Sequence, residues 1–219
     1  MGSTVSLKAA DGHELDGYLA PARGRERGAV VVIQEIFGVN SHIRKVTDQY
    51  AEQGYRAIAP ALFDRLGKQM TLPYSDVAGG LALVQQLKDD ETLLDMKAAI
   101  DHVRPAGKVG IVGYCWGGAM SFLAAARLDI TAAVSYYGGS IPRFIDEMPR
   151  VPVMLHFGEK DAHIPMSTVE KIRQAHPQQT YHLYPAEHGF NCTDRASYDP
   201  PSAKLAFERS IEFFRKTLG

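Results

Sequence analysis

The stretch GKVGIVGYCWGGAMSFLAAA, residues 107–126, changes character at its centre. The apolar, β-branched run before Gly113 is typical of a buried strand, and the alanine-rich segment after Gly117 is typical of a helix. A single cysteine, Cys115, lies between the two glycines. A side chain at such a sharp strand-to-helix turn is forced into a strained backbone conformation, and only small residues fit beside it. The spacing therefore predicts that Cys115 is held out as a nucleophile, in the position that serine takes in G-x-S-x-G.

The predicted position gives Cys115 two chemical advantages. The thiol lies at a helix N-terminus, where the dipole and the free N–H groups favour a thiolate. The backbone N–H of the next residue, Trp116, can point at a developing oxyanion. The alternative is that Cys115 is simply a small buried apolar residue, as most free cysteines are.

The rest of the chain alternates between strand and helix patterns. Apolar runs predict strands at 29–33, 55–59, 109–112, 132–136, 153–157 and 180–184, after an N-terminal hairpin formed by 5–9 and 15–20. Helix patterns cover 41–53, 75–87, 91–103, 117–128, 167–175 and 202–216, with Ser41 and Ser202 as N-caps of the first and last, and with Leu205, Ile211 and Phe214 as the buried stripe of the last. This order predicts one α/β domain over residues 1–219, with a mostly parallel sheet of about eight strands and helices on both faces.

The composition excludes several classes of function. The 219 residues are 45% hydrophobic with a net charge of −1, which gives no electrostatic reason to expect nucleic-acid or membrane binding. No apolar run is long enough to span a membrane, and no signal peptide is expected. The two cysteines suggest neither a disulfide framework nor a zinc site. We therefore expect a reduced, cytoplasmic protein without metal or cofactor, and a monomer rather than an oligomer.

A thiol nucleophile needs a base and a group that orients the base, and in hydrolases with this turn the chain order is nucleophile, acid, histidine. Asp161 follows the strand at 153–157, which places its carboxylate beyond the carboxyl end of the sheet. The alternative for Asp161 is a turn or helix-capping residue.

The base is expected to be His188, which lies in the loop after the strand at 180–184. His163 is its rival, two residues after Asp161. Metal binding by these three residues is a further alternative, although no pair of them has the spacing of ligands on one helix face.

Four motifs together resemble the dienelactone hydrolase family. They are QEIFGVN at 34–40, GYCWGG at 113–118, FGEKD at 157–161 and HGF at 188–190. The similarity spans nearly the whole chain and implies the α/β-hydrolase fold. It also implies Cys115 as nucleophile.

The resemblance assigns roles to several other residues. It implies His188 as base and Asp161 as the residue that orients it. It places the backbone N–H groups of Ile36 and Trp116 in the oxyanion hole. It implies that Glu35 holds the cysteine until substrate frees a thiolate, whereas Glu35 could otherwise be a surface charge after a strand.

One part of the family pattern is missing. Members that open dienelactones grip the substrate carboxylate with two arginines, one of them four residues past the catalytic histidine. Here that position is Cys192, and the segment 75–87, where the other is expected, contains no arginine. Arg65, Arg143 or Arg195 could substitute. The sequence therefore predicts hydrolysis of a small ester or lactone that need not be a dienelactone.

Several assignments stay open from sequence. The candidate pocket residues are Phe37, Tyr74 and Tyr137, with Phe63 and Trp116 as further candidates, although each aromatic is more often a core residue. Cys192 could pack in the core or form a disulfide with Cys115 under oxidation. The same three catalytic residues would also suit a thioesterase or peptidase, and a non-catalytic binding module on a hydrolase scaffold is the remaining alternative.

Overall fold

The computed structural model describes residues 2–219, which form one eight-stranded sheet flanked by six α-helices. The strands are β1 Ser3–Lys8, β2 Glu14–Ala20, β3 Ala29–Ile33, β4 Arg56–Pro60, β5 Val109–Tyr114, β6 Ala132–Tyr136, β7 Val153–Gly158 and β8 Thr180–Tyr184. Their order across the sheet is β1-β2-β4-β3-β5-β6-β7-β8. The β1–β2 and β2–β4 pairs are antiparallel, and all the other pairs are parallel.

The helices cover both faces of this sheet. They are α1 Ser41–Glu52, α2 Val77–Val84, α3 Asp89–Val103, α4 Trp116–Arg127, α5 Met166–Ala175 and α6 Pro200–Thr217, with short 3₁₀ turns at Leu62–Arg65, Arg104–Ala106 and Ile141–Phe144. A Cβ added to Gly110 of β5 would meet Phe214 of α6, whereas one added to Gly113 would meet the first turns of α4. These positions are an odd number of residues apart, so α6 and α4 lie on opposite faces. The predicted fold class is confirmed.

The central strands β3, β5 and β6 are buried along their whole length. Strands that are covered on both faces need apolar residues at every position, which explains the continuous apolar runs in the sequence. The parallel strands also deliver their carboxyl ends to one edge of the sheet. The loops that follow β3, β5, β7 and β8 therefore meet at that edge.

Two predicted helix caps were wrong. Asn40, not Ser41, caps α1 by accepting the Ile43 N–H at 3.1 Å. Asp199, not Ser202, caps α6 by accepting the Ser202 N–H at 2.9 Å, which leaves Ser202 inside the first turn. In each case an Asn or Asp just upstream takes the cap, which both residue types do at least as well as Ser.

The interior of α6 and the start of α2 also differ from the prediction. Leu205 is 42% exposed, while Ile211 and Phe214 are buried as expected and smaller residues fill the rest of that face. The helix predicted from residue 75 begins at Val77 because the Asp76 side chain accepts the Gly79 N–H at 2.9 Å. Among residues 2–219, no helix combines the length and the apolar character needed to cross a bilayer.

Candidate active site

Cys115 lies at the turn between β5 and α4, in a backbone conformation that few residues other than glycine adopt. Its φ is 54° and its ψ is −116°. A Cβ on Gly113 would clash with the main-chain oxygen of Gly117, and a Cβ on Gly117 would clash with the main-chain oxygens of Ile33 and Gln34. Both glycines are therefore required by the packing of α4 against β5 and β3. The strained turn predicted from the sequence is present.

The structure brings Cys115, Asp161 and His188 into one hydrogen-bonded chain. The Nδ1 atom of His188 lies 2.7 Å from Oδ2 of Asp161, and its Nε2 lies 3.2 Å from Sγ of Cys115. The other oxygen of Asp161 accepts the N–H groups of His163 and Ile164, at 2.8 and 3.1 Å. These bonds fix the carboxylate, which in turn fixes the imidazole.

Burial and hydrogen bonding shift the pKa values of Asp161 and His188 in opposite directions. Burial alone would raise the pKa of Asp161, but the hydrogen bond to His188, its charge and two backbone N–H groups lower it below its usual range. Burial alone would lower the pKa of His188, but Asp161 and Cys115 together raise it to about 10. Both neighbours therefore favour the protonated ring, which can donate to the sulfur of Cys115.

Two residues in the wall of the cleft, Ile36 and Trp116, have backbone N–H groups that are not used within the protein. Trp116 is the first residue of α4, and Ile36 lies just after β3. Across residues 2–219, neither N–H donates to an acceptor of the protein. Both residues line the same cleft as Cys115, so the arrangement has the components of an oxyanion hole.

This active-site cleft has a volume of about 350 Å³ and mainly apolar walls. Besides Cys115, His188 and the two oxyanion-hole candidates, it is lined by Phe37, Val77, Leu81, Val84, Gly139, Ser140, His163, Ile164 and Arg195. The apolar face of α2 was missed from sequence. Its signal is the repeat of Val77, Leu81 and Val84 at helical spacing, with Val77 and Leu81 left 40% and 49% exposed.

Only part of the predicted pocket lines the cleft. Phe37 does, but Tyr74, Tyr137 and Phe63 are not among its lining residues. Tyr137 is buried beside the ring of His188, with their centroids 5.0 Å apart. Phe63 stacks on Trp116 at 6.3 Å. These aromatics support the lining residues from behind.

Glu35 is completely buried and is held by two residues. The Tyr74 hydroxyl donates to Oε2 at 3.0 Å, and the Arg195 guanidinium lies 3.6 Å from Oε1. Burial raises the pKa of Glu35, against the opposing effects of Arg195 and Tyr74. The thiol of Cys115 pairs with His188 and not with Glu35 in this structure, so the gating role of Glu35 stays a prediction.

Comparisons with known proteins show which family the chain belongs to. The model of the dienelactone hydrolase family matches residues 15–218. The chain belongs to this family. As a member it is a hydrolase that acts on lactone or ester bonds.

Individual relatives match over almost their whole length. A carboxymethylenebutenolidase of Pseudomonas putida is 32% identical, with 95% of this chain and 94% of that protein covered. A Synechocystis protein assigned the same activity is 36% identical, with 94% and 93% covered. A solved Klebsiella pneumoniae structure, assigned as a dienelactone hydrolase, has a TM-score of 0.84, 31% identity and 98% coverage of both chains. The Pyrococcus furiosus esterase Pf2001, at 15% identity and a TM-score of 0.73, covers 100% of this chain and 93% of its own and shares the fold.

The structure places the three arginines that could replace the family's substrate clamp. Arg65 is bound by Asp95, with N–O distances of 2.7 and 2.8 Å, and is not among the lining residues of the cleft. Arg143 pairs with Asp89 at 3.0 Å on the surface. Arg195 alone of the three lines the active-site cleft.

Arg195 is held in the cleft wall by its neighbours. Its guanidinium lies 5.9 Å from the ring centroid of Phe37 and 5.6 Å from that of Tyr74. The side chain is 18% exposed and lines the cleft. An arginine in this state can bind a substrate anion.

Proposed function

We propose that this protein hydrolyses a small carboxylic ester or lactone through a thioester at Cys115, with His188 as acid and base and Asp161 orienting the ring. The observation that carries the proposal is the unbroken chain Asp161–His188–Cys115 opening into an apolar cleft. Members of unrelated hydrolase classes use the same logic of nucleophile, base and orienting acid.

The proposed reaction has two halves. The Cys115 thiolate attacks the ester carbonyl, and the N–H groups of Ile36 and Trp116 stabilise the tetrahedral oxyanion. When the carbon–oxygen bond breaks, the protonated ring of His188 gives its proton to the leaving alkoxide, and a thioester remains. The ring, now neutral, takes a proton from water as the water attacks the thioester. Collapse of the second intermediate releases the acid and restores the thiolate beside protonated His188.

Arg195 supports a substrate that carries an anionic group. The guanidinium lies in the cleft wall, and its present carboxylate contact, to Glu35, is longer than a hydrogen bond at 3.6 Å. A substrate carboxylate could bind it at shorter distance and with better alignment. The rest of the cleft is apolar and would hold the hydrocarbon part.

Glu35 is proposed to respond when such a substrate binds. A substrate anion on Arg195 draws the guanidinium away from Oε1 of Glu35, which leaves a buried carboxylate supported by the Tyr74 hydroxyl alone. Burial then favours the protonated form of Glu35. Glu35 takes this proton from solvent, and the neutral group opposes the negative charge of a Cys115 thiolate less than the carboxylate does.

The test is hydrolysis of short-chain p-nitrophenyl esters by the wild type and two single variants, Cys115→Ala and His188→Ala. We expect both variants to lose at least about 10³-fold in kcat, the scale seen when one member of such a triad is removed. His102→Ala, which removes an exposed histidine at the end of α3, is the matched control and should retain the rate.

Two further readouts separate the alternatives. A rapid burst of p-nitrophenol in the wild type, absent in Cys115→Ala, would report the thioester. A panel of acyl thioesters and peptides would show whether the same site prefers another acyl donor. Equal rates in the wild type and Cys115→Ala would refute the proposal.

A further inference from the structure

The loop that carries the oxyanion-hole candidate Ile36 is held by a neighbouring segment of the chain. This segment, residues 62–84, lies between β4 and α3 and ends in α2. Leu72 of the segment donates its N–H to the carbonyl of Phe37 at 3.1 Å. A Cβ on Gly38 would clash with the main chain of the same segment. The two residues that follow Ile36 are therefore packed directly against it.

The contact with Ile36 itself is made by Gly80 of α2. Of the eight residues of α2, all of which the structure describes, Gly80 is the one that is buried. A Cβ on Gly80 would lie 2.5 Å from the carbonyl oxygen of Ile36, whereas Cβ atoms in proteins stay about 3.0 Å or more from such atoms. The missing side chain therefore lets α2 sit directly on the backbone of Ile36.

The opposite requirement holds for the other side of α2, which is apolar and open. Val77 and Leu81 are 40% and 49% exposed, and both line the active-site cleft with Cys115. A helix that served only to cover the core would bury such residues against the protein. Packing a hydrocarbon group on them excludes water and is worth about fourfold in affinity for each methylene buried.

We propose that Gly80 is a positioning residue for the N–H of Ile36, and that a hydrocarbon group of the substrate, next to the reacting carbonyl, holds α2 in place by packing on Val77 and Leu81. The inference rests on the proposed function, because it concerns the oxyanion hole of the same site. One helix then reads the hydrocarbon group and supports the oxyanion donor. Binding of that group is therefore expected to raise kcat and not only to lower KM.

Gly80→Ala tests the positioning role. The new Cβ forces α2 and the carbonyl of Ile36 apart by about 0.5 Å. Because a misplacement of 1 Å can cost about 100-fold in rate, kcat on p-nitrophenyl hexanoate should fall by about tenfold, with KM within about twofold of the wild type. Ala82→Ser, which also adds one heavy atom but at an exposed residue of α2, is the matched control and should keep the wild-type kcat.

A second measurement separates the oxyanion hole from the thiol and needs no turnover. With hexanal, the Cys115 sulfur bonds to the carbonyl carbon, and the carbonyl π pair moves to the oxygen, which lies in the oxyanion hole beside protonated His188. Iodoacetamide alkylates the same sulfur with loss of iodide and forms no oxyanion. Hexanal should therefore protect Cys115 from alkylation, followed by the mass of the peptide that contains it. Gly80→Ala should weaken this protection by about tenfold and leave alkylation without aldehyde within about twofold of the wild type.

Leu81→Ala tests the hydrocarbon contact without adding an atom, so it remains informative if circular dichroism shows that Gly80→Ala does not fold. In the wild type, hexanal should protect Cys115 at lower concentration than ethanal. Loss of the packing of one or two methylene groups in Leu81→Ala should reduce this preference by about 4- to 15-fold. The kcat on p-nitrophenyl hexanoate should also fall more than the kcat on the acetate.

Three results would overturn the inference. The first is hexanal protection in folded Gly80→Ala that stays within about twofold of the wild type. The second is an equal loss in alkylation by iodoacetamide, because the change would then act on the thiol and not on the oxyanion hole. The third is a preference for hexanal that survives Leu81→Ala. If the aldehyde results are as expected but the wild type does not hydrolyse esters, the proposed function fails and the positioning role of Gly80 is upheld.

Discussion

Replacement of Arg195 by glutamine tests whether the cleft selects anionic substrates. The change removes the guanidinium and its charge but keeps a shorter polar side chain. In the wild type this group lines the cleft and is 3.6 Å from Oε1 of Glu35. We expect Arg195→Gln to lower kcat/KM strongly for an ester that carries a carboxylate and much less for a neutral ester of the same length.

The magnitude follows from two contacts of Arg195 that compete. A pair of unit charges about 4 Å apart near a protein surface interacts by about 4 kcal/mol, and the substrate and Glu35 each supply one such partner. Because one contact is exchanged for the other, the direct Coulomb terms largely cancel. The net gain is the charge-assisted hydrogen bond that Glu35 does not make, about 1.5–3 kcal/mol. This corresponds to a loss of about 10- to 100-fold in kcat/KM.

The assay compares p-nitrophenyl butyrate with the mono-p-nitrophenyl ester of succinic acid, for the wild type and for Arg195→Gln. The informative quantity is the ratio of the two kcat/KM values, because general damage to the site changes both. Arg143→Gln, at a surface arginine bound to Asp89, is the matched control. If Arg195→Gln leaves this ratio within about twofold of the wild type, less than 0.5 kcal/mol, the anchoring role is wrong.

Three further predictions concern the catalytic residues and the turn that presents them. Asp161→Asn keeps the size of the side chain but removes the charge 2.7 Å from Nδ1 of His188. The kcat on p-nitrophenyl esters should therefore fall by about 10³–10⁴-fold. A fall of less than tenfold would argue against the orienting role of Asp161. Gly117→Ala places a Cβ 2.6 Å from a main-chain oxygen at the end of β3 and should lower the free energy of unfolding in urea by about 3 kcal/mol. In the control Gly67→Ala, the new Cβ meets a flexible methionine side chain, and the loss should be under about 1 kcal/mol. Equal losses in the two variants would contradict the packing argument. The folded-state pKa of His188 is raised from 6.5 to about 10, so protonation of His188 stabilises the fold fully below pH 6.5, and this contribution is lost as the pH rises towards 10. Tm should therefore fall more steeply between pH 6.5 and pH 10 in the wild type than in Asp161→Asn. Parallel curves of Tm against pH would exclude this linkage.

The sequence was sufficient for the catalytic candidates because each follows a strand that is easy to identify. Cys115, Asp161 and His188 lie within four residues of the ends of β5, β7 and β8. Parallel strands bring such positions together whatever the lengths of the intervening helices. Chain order and strand ends therefore predicted their proximity, although neither gives a distance.

The cleft walls were harder to predict because they depend on side-chain direction rather than on chain order. Tyr74 and Tyr137 are close to the site, but one bonds Glu35 and the other packs beneath the ring of His188. Tyr137 also has a φ of 40°, which a sequence pattern does not reveal. The apolar face of α2 can be recognised from its helical spacing. That this face lines the cleft becomes clear only from the structure.

The position of Arg195 shows why counting residues from a motif can mislead. Four residues past His188, the chain turns inward and buries Cys192, whereas three residues later it returns Arg195 to the cleft. The turn begins at Gly189, whose φ of 76° favours glycine and whose missing Cβ leaves room for the guanidinium, 2.6 Å from where that Cβ would lie. An arginine can therefore be absent at the expected position in the sequence and still be present in the cleft. By the same turn, the position four residues past His188 becomes a buried thiol beside Glu35 and His42.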